Sequence, residues 1–490
     1  MNFRFIYSTL GGISVLNALL VLICLTYSLL HEGTEEGLST IWITCFCFNL
    51  IVALILFYWG RGLDKSRIFR REALAVVSIG WVYSGLFFAL PFILYGIPIW
   101  DSLFESYSGL TTTGATIFAD LDSVPRSFLL WRSLSQWLGG LGIVILFVAL
   151  LGFIGVGSKA LLSRENSAMA NADLVPRVQS LTLRYLMIYV GFTAIGFIGL
   201  MSCGLSVFDA ANHSFSAIAT GGFSPHDQSV GYYDSPFVKL WMTAIMFAGG
   251  VAFPLHYLVI GLKRFNALKE NEEFLIYGMI LIFGILLIAL DLTFIYDAEE
   301  KNYPALMVDA IFQAVSIMTT TGFGTTDYNQ WPSMSKVVLI LFMIIGGCAC
   351  STACGLKVNR IVVFLKAAYR ELLLTMRPNR VIRIRVNGKI ADEGFVRDVI
   401  FYIGIYFVLL LTCFLGLSVL EPRLDLASIF TAALSCFNNV GPGLGEVGPA
   451  SNFAFLNPVS KIWLCVFMLL GRLEIFAILL LIMPSFWKRF

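Results

Sequence analysis

The sequence predicts an all-α membrane protein: ten transmembrane helices with four re-entrant pore half-helices in a pseudo-fourfold arrangement. Three observations lead there. Of 490 residues, 58% are hydrophobic and 13% charged, with mean hydropathy +0.83, whereas a soluble domain carries about 25% charged residues. Ten apolar runs reach the length a bilayer crossing requires. Four shorter apolar runs each end at a glycine in matched surroundings.

The first run, 5–30, is longer than the roughly 7–15-residue core of a signal peptide and has no clear cleavage site, so it reads as a retained span. With 38–60 it forms an N-terminal two-span extension, 1–70, outside the repeated pattern. After that, the order span, half-helix, tip, span recurs four times. Repeat 1, 71–160, holds spans 73–97 and 126–153 around the short run 102–113. Repeat 2, 178–268, holds 181–204 and 236–262 around 209–220. Repeat 3, 270–370, holds 274–296 and 334–369 around 309–320. A cytosolic basic loop, 371–397, precedes repeat 4, 398–490, which holds 398–420 and 458–484 around 426–438. Apolar runs too short to span suit half-helices that enter and leave on one side.

Basic residues orient the chain. With both termini cytosolic, 25 of the 33 Lys and Arg residues fall inside, including the ten from Lys357 to Arg397. All four glycine tips then face outward. A net charge of +2 leaves no electrostatic footprint for nucleic acid. The ten cysteines show no disulfide framework or Cys-x-x-Cys zinc spacing. They read as buried apolar residues, with a metal site on Cys348, Cys350 and Cys354 as the alternative.

The tips are Ser108 to Gly114 (Ser-Gly-Leu-Thr-Thr-Thr-Gly), Ser216 to Gly222 (Ser-Ala-Ile-Ala-Thr-Gly-Gly), Ser316 to Gly322 (Ser-Ile-Met-Thr-Thr-Thr-Gly) and Ser435 to Gly441 (Ser-Cys-Phe-Asn-Asn-Val-Gly). A serine stands six residues before each glycine. Asp101, Asp209 and Asp309 stand thirteen before, and Asp425 sixteen before the fourth. These aspartates suit half-helix N-caps. Asp120, Asp227, Asp327 and Glu446 follow the tips and would ring an outer mouth, concentrating cations. A dehydrated cation needs several oxygens on one axis, and backbone carbonyls supply them. Glycine permits the dihedrals this demands. Half-helix C-termini present partial negative charge to the same axis. One Thr-Thr-Thr-Gly alone is more often packing or a turn. Four in register point to a single cation path.

These motifs, with Gly114-Ala-Thr, Gly222-Phe-Ser, Gly322-Phe-Gly-Thr and Gly441-Pro-Gly-Leu-Gly, resemble the Trk/Ktr/HKT superfamily of potassium transporters, specifically its TrkH branch. The resemblance covers nearly the whole length. It implies a potassium filter formed by Thr111, Thr112, Thr113 and Gly114; Ala219, Thr220, Gly221 and Gly222; Thr319, Thr320, Thr321 and Gly322; and Asn438, Asn439, Val440 and Gly441. In plant relatives a serine at the first glycine goes with sodium selectivity, so glycine at 114 implies potassium. K+ is then the transported ion, and the chain carries no motif for an organic cofactor.

Residues 346–357 (Gly-Gly-Cys-Ala-Cys-Ser-Thr-Ala-Cys-Gly-Leu-Lys) interrupt the span 334–369. Small residues after a Gly-Gly pair loosen a helix. A charge such as Lys357 in or near the bilayer is costly and usually functional. No Gly-Lys-Ser/Thr follows, so this is no phosphate loop. The physical reading is a flexible gate comprising Gly346, Gly347, Cys350, Cys354, Gly355 and Lys357. The resemblance implies an intramembrane loop that blocks the pore from the cytosolic side. The chain departs from the family at Cys350 and Cys354, where relatives usually have glycine, which predicts a stiffer loop. Arg472, in Gly-Arg-Leu-Glu474, is the other intramembrane charge. It reads either as an ion pair with Glu474 or, by resemblance, as a pore-facing barrier to cations.

Val381 to Gly388 alternates like a short strand and turn within the basic loop. By resemblance, the cytosolic face docks a TrkA-like nucleotide-binding regulatory ring, two protomers form a homodimer, and the protein resides among the lipids of the bacterial inner membrane. A secondary transporter coupled to H+ or Na+ is the main rival, yet inverted repeats would place matching breaks on opposite sides. A membrane enzyme would need titratable clusters, and only His31, His213, His226 and His256 occur, scattered.

Overall fold

The computed structural model describes residues 2–33, 37–62, 70–154, 174–295 and 303–487. Several basic residues that enter the orientation, Lys65, Arg67, Lys159, Arg164, Lys301, Lys488 and Arg489, lie outside them. Two long helices open the chain: α1 (Phe3–His31) and α2 (Leu38–Trp59). They pack on each other, and α1 also packs on α3 (Arg70–Tyr95) and α5 (Arg126–Ile154). Between α3 and α5 lies the short α4 (Ile99–Leu110). The same order follows with α6 (Leu174–Ser202), short α7 (Val207–Ala219) and α8 (Pro236–Gly250). It recurs with α9 (Glu272–Phe294), α10 (Tyr303–Met318) and α11 (Ser333–Ile345), after which α12 (Val358–Met376) resumes beyond a break. The last set is α13 (Glu393–Leu420), α14 (Leu426–Phe437), α15 (Pro458–Arg472) and α16 (Phe476–Ile482).

Among the described residues, seven helices are long and apolar enough to cross a membrane, and up to nine spans result if each of two bent pairs counts once. Three of the ten expected spans therefore differ. The runs 236–262 and 458–484 are not straight: α8 meets Phe253–Gly261 at 102°, and α15 meets α16 at 119°. The run 334–369 is two helices separated by the loop 346–357. The second of them, α12, is amphipathic, burying Val358, Val362, Val363 and Ala367 on one face. The expected strand shrinks to a two-residue hairpin, β1 (Arg385–Val386) and β2 (Lys389–Ile390), turning at Asn387 and Gly388.

Two features centre the fold on the short helices. The helix after each tip packs against the next short helix: α5 on α7, α8 on α10, α11 on α14, and α15 back on α4. The contacts run in a closed cycle. Within three of the four sets, a tryptophan near the start of the exit helix donates its indole N–H to the entry helix. Trp131 reaches the Phe88 carbonyl at 3.1 Å, Trp241 the Gly196 carbonyl at 3.3 Å and Trp463 the Cys413 carbonyl at 3.1 Å. Glycine makes room for two of these rings, because a Cβ at Gly199 or Gly416 would run into Trp241 or Trp463.

Candidate functional site

The four short helices end alike. The N–H just before each tip glycine (Thr113, Gly221, Thr321, Val440) donates to the carbonyl of the serine at minus six, at 2.8, 2.9, 2.8 and 2.9 Å. The N–H one residue earlier (Thr112, Thr220, Thr320, Asn439) donates to Gly109, Ala217, Ile317 and Cys436, at 2.9, 3.1, 3.0 and 3.4 Å. This bond pair is a Schellman termination, whose left-handed residue is usually glycine. Here it is Thr112, Thr220, Thr320 or Asn439, at φ 55°, 53°, 54° and 53°. A β-branched residue there is strained, at a cost of order 1–3 kcal/mol. Strain repeated at matching positions means that the surroundings impose the backbone.

The tip glycines follow at φ 82°, 83°, 83° and 100°. Each abuts the next tip. A Cβ on Gly114 would run into the carbonyl oxygen of Gly221, on Gly222 into that of Thr321, on Gly322 into that of Val440, and on Gly441 into that of Thr113. Four tips distant in sequence thus close a ring in which the carbonyls of Thr113, Gly221, Thr321 and Val440 abut the glycines of the neighbouring tips. Side chains tie it further. Thr111 and Thr319 share hydroxyl contacts of 2.7 Å with Thr113 and Thr321. Asn439 donates to the Thr113 hydroxyl at 2.8 Å, joining the fourth tip to the first. Gln136 of α5 donates to the Gly221 carbonyl at 2.7 Å and accepts from the Phe223 N–H at 3.1 Å. Sequence reasoning missed Gln136. Its signal was an amide placed inside an apolar run.

The aspartates behave differently from expectation. Only Asp425 is an N-cap, accepting from Ala427 and Ser428 at 3.2 and 3.4 Å. Helix α4 starts at its Pro98 cap and α7 at its Ser206 cap, which leaves Asp101 and Asp209 in the first turn, and α10 starts at Tyr303, which leaves Asp309 mid-helix. Their carboxylates meet side chains of other elements instead: Asp101 pairs with Lys461 and Asp309 with Lys239 at 2.9 Å, and Asp209 lies 3.3 Å from the His226 imidazole. Of the outer acids, Asp120 and Asp227 come together with Asp122, their carboxylate oxygens within 4.8 Å of one another on the surface. Asp327 instead caps Asn329 at 3.0 Å, and Glu446 is simply exposed. Among the described residues that acidic group is the sole metal-capable cluster of three. Cys348, Cys350 and Cys354 do not assemble one.

On the other side of the ring lies the loop 346–357. Its ends are clipped together where Leu356 and Lys357 donate to Ile344 and Ile345, at 3.0 and 2.8 Å. The loop reaches the ring directly: Cys354 N–H donates to the Thr320 hydroxyl at 2.9 Å. Thr352 donates to the Ile218 and Gly249 carbonyls at 3.0 and 2.9 Å. Glu273 of α9 accepts from the Ala349 and Asn359 N–H groups at 2.6 and 3.2 Å. Cys350 sits at φ 59°, a left-handed position that glycine fills more easily. Arg472, fully buried, donates to the Thr352 carbonyl at 2.6 Å, the Gly139 carbonyl at 3.1 Å and the Cys354 sulfur at 3.2 Å. The Arg472–Glu474 pair does not form. Glu474 holds Lys357 at 2.8 Å and Arg360 at 2.5 Å instead.

A many-helix membrane protein with a closed carbonyl ring and a buried cationic side chain beneath it belongs, as a class, with proteins that pass ions rather than transform substrates. The TrkH family model, described as cation transport protein, matches residues 95–489, and the chain belongs to that family. It is 35% identical to the Trk system potassium uptake protein TrkH of Salmonella typhimurium and 34% identical to that of Escherichia coli, with all of each chain covered. Its structure resembles the crystal structure of the potassium transporter TrkH from Vibrio parahaemolyticus, with TM-score 0.90, 33% identity and full coverage of both chains. These relatives carry transport names, and the chain is a multi-span membrane transport protein rather than an enzyme.

Proposed function

We propose that the chain takes up potassium through a channel-like pore whose filter is the four-tip ring. Residues 111–114, 219–222, 319–322 and 438–441 coordinate dehydrated K+ through backbone carbonyls. The observation that carries this reading is the closed contact cycle from Gly114 through Gly222 and Gly322 to Gly441 and back to Thr113. The names of the relatives support potassium as the ion. The loop 346–357 is the gate. Its bonds to Thr320, Ile218 and Arg472 hold it under the ring, where it obstructs passage. Arg472 adds a fixed positive charge beneath the filter.

The proposal includes the division into a two-span extension at 1–70 and four repeats at 71–160, 178–268, 270–370 and 398–490. It places both termini in the cytosol of a bacterial inner membrane, with a homodimer and a cytosolic nucleotide-binding ring acting through the basic inner face. The test is K+ and Na+ flux into proteoliposomes, native against Gly114→Ser. A Cβ at 114 cannot coexist with the Gly221 carbonyl where it stands, so K+ over Na+ discrimination should fall. Robust flux with discrimination unchanged would refute the filter and favour an ion-coupled carrier.

A further inference from the structure

The ring is held from behind by two incomplete rows of ties between the short helices and the segments leaving their tips. The inner row uses the serine at minus six. Ser108 donates to the Ala115 carbonyl at 2.5 Å, Ser316 to that of Phe323 at 2.8 Å and Ser435 to that of Gly441 at 2.7 Å. The hydroxyl of Ser216 finds no partner among the described residues.

The outer row starts at the residue nine before the glycine, or beside it, and differs in every repeat. In the first, Glu105 accepts from the Thr116 hydroxyl at 3.1 Å and from the Ile117 N–H at 2.9 Å, while Arg132 holds it at 2.7 Å. In the second, His213 Nε2 meets the Ser224 hydroxyl at 3.2 Å. In the fourth, Thr431 accepts from the Leu444 N–H at 2.9 Å. The third repeat has Gln313 at this position, facing Gly324, which has no side chain. Both amide atoms of fully buried Gln313 lack partners among the described residues, as do the hydroxyls of Thr325 and Tyr328 in the same exit segment. Gly324 leans on the neighbouring repeat instead, with its N–H donating to Ser229 at 3.2 Å and its carbonyl accepting from Gly231 at 3.0 Å.

We propose that the outer-row residue is a positioning residue for ion selectivity, and that Gln313 is half of a missing brace, which leaves the third sector of the ring without the outer tie that the other three have and its exit segment more compliant. This rests on the filter reading above. A buried amide without a partner gives up interactions that a short hydroxyl would restore. The site has room for one. A Cβ at Gly324 would lie 3.7 Å from Pro449 Cβ and 3.9 Å from Gln313 Nε2, both ordinary contacts, so a hydroxyl one bond further out reaches the amide. The loop 346–357 bonds the ring at Thr320 of this same sector. The sector that lacks its outer tie behind is therefore one that the loop touches in front.

The test compares Gly324→Ser with Gly324→Ala, each alone and combined with Gln313→Leu. The full chain is read in proteoliposomes for the K+ to Na+ flux ratio and in detergent for hydrogen exchange across 322–328. Gly324→Ser should raise the ratio roughly 2- to 10-fold, the worth of one net hydrogen bond, and slow the exchange. Gly324→Ala should do neither, and the serine should gain nothing when combined with Gln313→Leu. His213→Leu should shift the ratio the other way by a similar factor and quicken exchange at 223–226. Equal effects of serine and alanine, a gain that persists without the glutamine amide, or an unmoved ratio and exchange would each overturn the brace. If Gly114→Ser alters selectivity and these variants do not, the brace alone fails. If Gly114→Ser also leaves selectivity unchanged, the filter itself fails.

Discussion

Replacing Arg472 with alanine should open the path beneath the ring. The guanidinium holds the loop through the Thr352 carbonyl at 2.6 Å and the Cys354 sulfur at 3.2 Å. A charged hydrogen bond to a carbonyl contributes about 1.5–3 kcal/mol, and a thiol sulfur is a weak acceptor, so the loop loses roughly 2 kcal/mol of its anchorage. At about 1.36 kcal/mol per tenfold, the displaced loop becomes roughly 30-fold more populated. The lost charge adds to this. A fixed positive charge beneath the ring repels a passing cation, and removing it lowers that barrier. Basal K+ flux into proteoliposomes should therefore rise roughly 30-fold at equal protein loading, taking only the anchorage term. Arg472→Lys keeps the charge but not the fork, and should rise less. Lower flux from a folded Arg472→Ala protein would refute the argument and make Arg472 a structural strut between the loop and Gly139.

Other outcomes follow from the same geometry. Glu474→Gln deprives Lys357 and Arg360 of their shared carboxylate charge, and weakening this partly buried cluster costs about 1–3 kcal/mol. The variant should show a lower Tm in detergent together with higher basal flux, because the far end of the loop is released. Gly416→Val would press a side chain into Trp463 and should lower Tm through overpacking worth about 1–3 kcal/mol, whereas Gly12→Ala, inside α1 with nothing within 4 Å, should leave Tm unchanged or slightly raised.

Much of this was legible from the chain. The apolar runs located α1 and α2 to within about two residues, because a membrane span announces itself by length. The tips were legible because glycine and its neighbours recur at fixed offsets. The bends at 250–253 and 472–476 were not, since hydropathy runs on through them. The hints were Gly249-Gly250 before Pro254, and two charges, Arg472 and Glu474, in one turn. Left-handed Thr112, Thr220 and Thr320 were invisible for a different reason. Threonine is disfavoured at that dihedral, so only tertiary restraint puts it there. The aspartates misled because capping preference is local, whereas Asp101 and Asp309 answer to lysines on α15 and α8.

The cyclic packing also sets an order of assembly. Helix α4 emerges early in synthesis, but its covering partner α15 and the Lys461 that neutralises Asp101 come 360 residues later. Until the last helices insert, the first tip abuts the second but lacks its fourth-tip neighbour, and Asp101 waits without its counter-charge in a half-built wall. Such long-range closure is slow and leaves intermediates exposed. A chain truncated before α15 should be a substrate for membrane proteolysis rather than a smaller leak. An unfinished copy thus has no closed cycle of tips, because the ring exists only once the final quarter of the chain arrives.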